Sequence, residues 1–340
     1  MEVLTSELAA GPEPSIEVRS RKHPVLALAS RRVMQGLVTV FLVSVVVFLA
    51  TEVLPGNAAY SILGRSATPE SIHKLELQLH LDQGIVAQYW YWFSGILRGD
   101  LGTSMSNGQS VTALVSARFL NSAVLVLLAG FFGTLVGVLA GAIAALRRDR
   151  PFDHALSISS LALTALPEFV IAIGLVLLFA TNVFHWLPAI SLLPPGTTPL
   201  SRPHVLVLPV ATLVLVIFPY IARMMRAAMI EALESDYVEM ARLQGISAKR
   251  ILFFQALPNS IAPTIQVIGL NFLYLAGGIV VVEYIFDYPG IGQALVSAVN
   301  NRDIPVIQFI VVVLAAVYVV VNIVTDVVAL IGSPRRRYAQ

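Results

Sequence analysis

Long apolar runs separated by short polar ones dominate the chain, and several runs are long enough to cross a bilayer as helices. Taking about 20 largely apolar residues as one crossing, six candidates emerge, at 32–51, 119–146, 155–181, 205–227, 263–283 and 306–331. The expected fold class is an all-α integral membrane protein with six transmembrane helices. The pattern divides the chain into a polar tail at 1–30, a first transmembrane helix at 31–51, a mixed region at 52–118, a transmembrane core at 119–331 and a basic tail at 332–340. In the mixed region, "TPESIHKLELQLH" predicts a helix with Thr68 as N-cap and Pro69 at its first position, and "QYWYWFSGIL" adds an aromatic belt at Tyr89 to Phe93. A small helical cap is expected there.

The core is interrupted by a polar loop at 228–262. Within it, "DYVEMARLQG" reads as a short capped helix: Asp236 as N-cap, Glu239 three positions on as a capping-box partner, and Gly245 as the C-terminal stop. Val238, Ala241 and Leu243 offer it an apolar side, leaving Tyr237, Glu239, Arg242 and Gln244 for water or a partner. A second helix starts at Ser247 and runs through "AKRILFFQAL" until Pro258 ends it. From spacing alone, this pair of helices is a hairpin lying on the membrane surface.

Composition agrees with the pattern, since 57% hydrophobic residues, 12% charged residues and a mean hydropathy of +0.80 exclude a soluble domain. A net charge of +2 gives no reason to expect nucleic acid, and zero cysteines exclude disulfides, thiolate catalysis and thiolate metal sites. Basic residues set the orientation, because short loops rich in Lys and Arg stay cytoplasmic. With the N-terminus inside, 16 of the 22 basic residues fall on inner segments, so both termini and the loop at 228–262 are expected to be cytoplasmic. The basic tails would lie against membrane lipids, with Arg19, Arg21 and Lys22 near anionic headgroups.

No Gly-rich phosphate loop is present, and Lys249 lacks the glycines that would cradle phosphate oxygens. The six histidines form no metal-binding pattern. The chain therefore reads as no enzyme and as having no cofactor of its own.

The loop's spacing carries a resemblance. Glu239-Met240-Ala241, then Gly245, then Leu257-Pro258 resembles the signature of permease subunits of bacterial ATP-binding-cassette importers: Glu-Ala-Ala, three residues, Gly, nine residues, Ile, one residue, Leu-Pro. Met240 replaces the second Ala, and Gln255 stands where Ile is usual. Further stretches resemble the B-type subunit of dipeptide, oligopeptide and nickel importers: "LPGNAA" at 54–59, "LRGDLGTS" at 97–104, "VEYIFDYPGIG" at 282–292, "NNRDIPVIQ" at 300–308 and "VNIVTDVV" at 321–328. Asn57, where the family usually has Asp, Glu168 in "ALPEF" and the long N-terminal tail depart from the pattern.

The resemblance implies the type I importer permease fold in a bacterial inner membrane. It also implies two ATPase subunits that bind ATP and Mg, a second homologous permease, an extracytoplasmic substrate-binding protein and a peptide-like solute. On this basis Asp236, Tyr237, Glu239, Ala241, Gly245, Leu257 and Pro258 form the ATPase-coupling set, with Glu239 facing a basic ATPase residue.

Polar residues inside the spans are candidates for the pathway. Glu168 follows Pro167 in the third span, where a carboxylate needs a cavity or a partner, and Asn271 lies in the fifth. Asn271 and Asn322 also suit interhelical hydrogen bonds, Asp326 suits a basic partner, and Glu283 and Asp287 are placed at the outer mouth. Pro167, Pro209, Pro219 and Pro263 are either kinks for alternating access or fixed features of the bundle. Two other readings stay open: the same machinery carrying nickel complexes, opines or another small solute, and a secondary transporter driven by an ion gradient, for which no internal repeat is found.

Overall fold

A computed structural model describes residues 24–52, 68–70, 73, 83–194 and 196–332. The terminal residues 1–23 and 333–340, "LPGNAA" at 54–59 and most of the helix expected at 68–80 lie outside the described residues. The regular structure among the described residues is helical, with one isolated antiparallel bridge between Thr103 and Ser110. In chain order the helices are α1 (Pro24–Glu52), α2 (Ile85–Arg98), α3 (Val111–Leu146), α4 (Pro151–Ala165), α5 (Glu168–Val176), α6 (Pro203–Leu233), α7 (Asp236–Leu243), α8 (Ala248–Ile285), α9 (Ile291–Asn300) and α10 (Ile304–Gly332).

Five segments within these are unbroken and apolar enough to cross a membrane: Ser30–Glu52, Val111–Leu146, Pro203–Leu233, Ala248–Ile285 and Ile304–Ala329. The expected third crossing is not one straight helix. It is the pair Pro151–Ala165 and Glu168–Thr181, bent by 106°. Pro167 removes a backbone donor and holds Leu166 extended (φ −89°, ψ 132°), so the helix stops and restarts at Glu168. Pro209, Pro219 and Pro263, by contrast, sit inside helices that continue through them.

α3 and α6 form the centre. Gly133, Gly137 and Gly141 face Ile217, Ile221 and Ala222 so closely that a Cβ on Gly141 would stand 2.4 Å from the Ala222 carbonyl oxygen. Small residues at this spacing let two backbones approach where lipid offers no hydrophobic drive to pack them. α8 covers α6, and Leu275, Ile279 and Val282 complete a core with Leu125, Leu213, Ile217 and Ile221.

α1 packs along α10, where Arg32 and Asp326 pair at 2.8 Å, giving Asp326 the basic partner expected for it. The aromatic run of α2 is only partly a belt. Tyr89 is buried against Phe41 and Phe48 of α1 and bonds Ser44 Oγ at 2.9 Å, while Trp90 and Tyr91 stay exposed.

Candidate functional site

The loop between α6 and α8 is built from local backbone geometry. Asp236 is not the N-cap of α7; that position is Ser235, and Asp236 is the first helical residue. The Ser235 hydroxyl donates to the Ala232 carbonyl instead of capping α7, so no capping box forms, and Asp236 and Glu239 act only as charges favoured at a helix start. The other end behaves as expected. Gly245 adopts φ 76°, its N–H donates to Arg242 O at 3.0 Å, and Ile246 N–H donates back to Ala241 O at 3.1 Å. This is a Schellman turn, and a left-handed residue there favours glycine.

Beneath α7, Val238, Ala241 and Ile251 are buried together with Ile246 packed against them. Leu243, expected on that apolar side, is 78% exposed instead, because Ile246 fills the contact after the turn. Tyr237, Glu239, Met240 and Arg242 also face outward.

Pro258 does not end the second helix. Between Leu252 and Ala256 the backbone widens into a π turn, with Leu257 N–H reaching Leu252 O, and the helix passes through Pro258 into the long membrane segment. The wide turn releases the carbonyl that a proline ring would otherwise strike. Leu257 packs with Leu252 over Met225, Met229 and Ala256, and Asn259 ties the loop down by donating to Tyr237 Oη at 3.2 Å. Phe253 and Phe254 remain 60% and 78% exposed, a large apolar surface beside α7.

Just above this loop Asp153 of α4 is almost wholly buried and bound by two nitrogens of Arg226 on α6, Nη2 at 2.7 Å. The Asp149 backbone N–H adds a third donor at 3.0 Å. Nothing in the sequence pattern paired Arg226 with Asp153. The signal for Asp153 alone was an acid two residues after Pro151, at the start of an apolar helix.

In the far half of α8, the two pathway candidates separate. Asn271 is buried and donates to Val267 O of its own helix at 2.8 Å, so its amide bridges no second helix. Glu168 is half-buried at the first position of α5, and Tyr274 Oη donates to it at 3.3 Å.

At the far end lies Glu283, expected at the outer mouth. It is fully buried and accepts from Ser122 Oγ on α3, from Gly292 N at 2.7 Å and from Gln293 N at 3.2 Å, capping the start of α9. A Cβ on Gly290 would lie 2.0 Å from a Glu283 oxygen, which explains the "PGIG" composition. Asp287 lies nearby and bonds Gln293, which accepts from Arg118 at 2.9 Å. A second carboxylate, Asp303, is buried and takes hydrogen bonds from Ser104 Oγ, Met105 N at 3.0 Å and Ser106 Oγ at 3.0 Å. The stretches "LRGDLGTS" and "NNRDIPVIQ", nearly 200 residues apart in sequence, therefore meet through one side chain.

Among the described residues no group of three or more His, Cys, Asp or Glu could hold a metal ion. Residues 137–338 match the family described as "Binding-protein-dependent transport system inner membrane component", and residues 25–126 match its N-terminal membrane component. The chain belongs to this permease family. A putative peptide transport system permease protein of Brucella abortus is 35% identical to this permease, over 92% of the chain and 99% of the relative. A probable peptide ABC transporter permease protein of Sinorhizobium fredii is 34% identical over 91% and 98%, and the glutathione transport system permease protein GsiC of Escherichia coli is 33% identical over the same shares. The permease is thus a multi-pass membrane component of a binding-protein-dependent transporter, and the π turn and the Schellman turn are how it carries its loop.

Proposed function

We propose that the chain forms half of the translocation pathway of an ATP-driven importer of peptides, and that the loop built on α7 transmits the stroke of a partner ATPase into the bundle. The observation that carries this is the loop itself: a short helix with outward side chains, rooted through Val238, Ala241 and Ile251 and continuous with a long membrane helix. The names of the relatives support a peptide-class solute.

In this reading the loop end faces the cytoplasm of a bacterial inner membrane, as the distribution of Lys and Arg favours. Two ATPase subunits bind ATP and Mg, a second homologous permease completes the pathway, and an external binding protein delivers the solute. Glu239 meets a basic residue of the ATPase, with Asp236, Tyr237 and Ala241 on the same helix, and Gly245, Leu257 and Pro258 shape the turn and its root. Closure of the ATPases on ATP draws the two loops together, and α6 and α8 move with them as rigid elements.

The test is uptake and substrate-stimulated ATP hydrolysis by the assembled transporter. Glu239→Lys and Gly245→Pro are expected to lose both together while the chain remains assembled in the membrane. Normal values for both activities in both variants would remove the coupling role.

A further inference from the structure

The break in the third crossing places one carboxylate in a setting that no neighbour explains. Glu168 opens α5, where the aligned N–H groups favour an anion. Its carboxylate presses on α8 where Gly278 leaves room, since a Cβ there would come within 2.7 Å of Oε2. Its hydrogen bond comes from a neutral phenol, Tyr274, one helical turn from Gly278. The ion pairs among the described residues join Arg32 to Asp326, Arg148 to Asp149 and Glu234, and Arg226 to Asp153, and none reaches Glu168.

The other buried or half-buried carboxylates are satisfied within the chain. Asp153 has a guanidinium, while Glu283 and Asp303 each have three or more donors. Glu168 has one. A carboxylate in an apolar segment with a single neutral donor is costly unless a cation or water reaches it.

The surface beside Glu168 is open. Tyr274 and Tyr220 are 50% and 45% exposed, and the two side chains lie near one another. Tyr220 also lines a cavity of about 530 Å³ with Arg223, Arg226 and Val267, towards the loop end. Val267 and Tyr274 are seven residues apart on one face of α8, about 10 Å along the axis. An acid with its phenol, and a second phenol beside an arginine in the cavity, are unsuited to lipid and suited to a wet passage.

We propose that Glu168, with Tyr274 beside it, is the point on the translocation pathway that receives the α-ammonium group of a peptide. The carboxylate supplies the charge, and the Tyr274 phenol supplies an oxygen acceptor and a π face that attracts an ammonium. The assignment rests on the peptide-importer reading, and its test separates the two.

The complete importer, with its partner permease, ATPases and binding protein, is assayed for uptake of trialanine and of N-acetyl-trialanine, normalised to assembled complex. The binding protein is the same in every arm, so a change of selectivity between variants arises in the permease. Glu168→Gln is expected to lower trialanine uptake roughly tenfold, the scale of one lost charge-assisted hydrogen bond, and to leave the acetylated peptide unchanged. Glu168→Asp, which keeps the carboxylate, is expected to retain most trialanine uptake, and it decides the matter if wild type carries only the free amine.

Equal loss of both peptides in Glu168→Gln, wild-type trialanine uptake in that variant, or equal losses in Glu168→Asp and Glu168→Gln would each overturn the ammonium assignment and leave the peptide reading standing. A wild-type importer that moves another solute and neither peptide would take down the peptide reading, and this assignment with it.

Discussion

The two ends of α8 handle charge in opposite ways. At the far end Glu283 and Asp303 are buried and saturated with hydrogen bonds from α3, α9 and the 104–106 turn. At the loop end Asp236, Glu239 and Arg242 are exposed and make no side-chain cap. Groups that hold a fold together are buried and internally paired, because an unpaired buried charge is penalised. Groups left in water on a well-rooted element are available to something else. The far end is built as an internal joint, and the loop end as a surface to be held.

Five substitutions probe that contrast. The largest effect is expected from Glu283→Ala, which strands Ser122 Oγ and the N–H groups of Gly292 and Gln293. A loss of about 4 kcal/mol is expected, read as a large fall in the melting temperature of detergent-purified protein. Arg226→Leu should cost about 3 kcal/mol by leaving Asp153 buried without its cation, which marks where the loop end does contain an internal joint. Val238→Ala removes two methyl groups from the root of α7 and should cost about 1 kcal/mol, measured the same way. Ser235→Ala and Glu239→Lys come last, each within about 0.5 kcal/mol of wild type, since neither side chain caps α7. A melting temperature for Glu239→Lys as low as that of Glu283→Ala would erase the contrast.

Much of this was readable in the sequence. Apolar runs located the five long crossings, Gly245 announced its left-handed turn, and Asp326 was matched with a basic partner. The exceptions share a physical cause: they depend on residues distant in the chain or on alternatives that local rules rank equally. Ser235 and Asp236 are both good caps, and only the register of α6 decides between them. Pro167 and Pro258 carry the same local penalty, yet one breaks a helix and the other is absorbed by a π turn over packed Met225 and Met229. Glu283 reads as an outer-mouth acid in "VVEYIFDYPG", and its burial depends on Ser122, 161 residues earlier. The residues that the family resemblance marks for coupling lie on one element and its root, whereas Glu168 and Asn271 part, one towards an open face and one into its own helix.

The π turn at Leu252–Ala256 has a consequence in rotation rather than in hydrogen bonds. It places one extra residue in the backbone, and in a helix of 3.6 residues per turn one residue corresponds to about 100° of azimuth. The direction in which α7 points relative to the face bearing Tyr274 is therefore set by that single residue. Wound as regular α-helix instead, the same residues would carry the loop round by about 100° relative to that face.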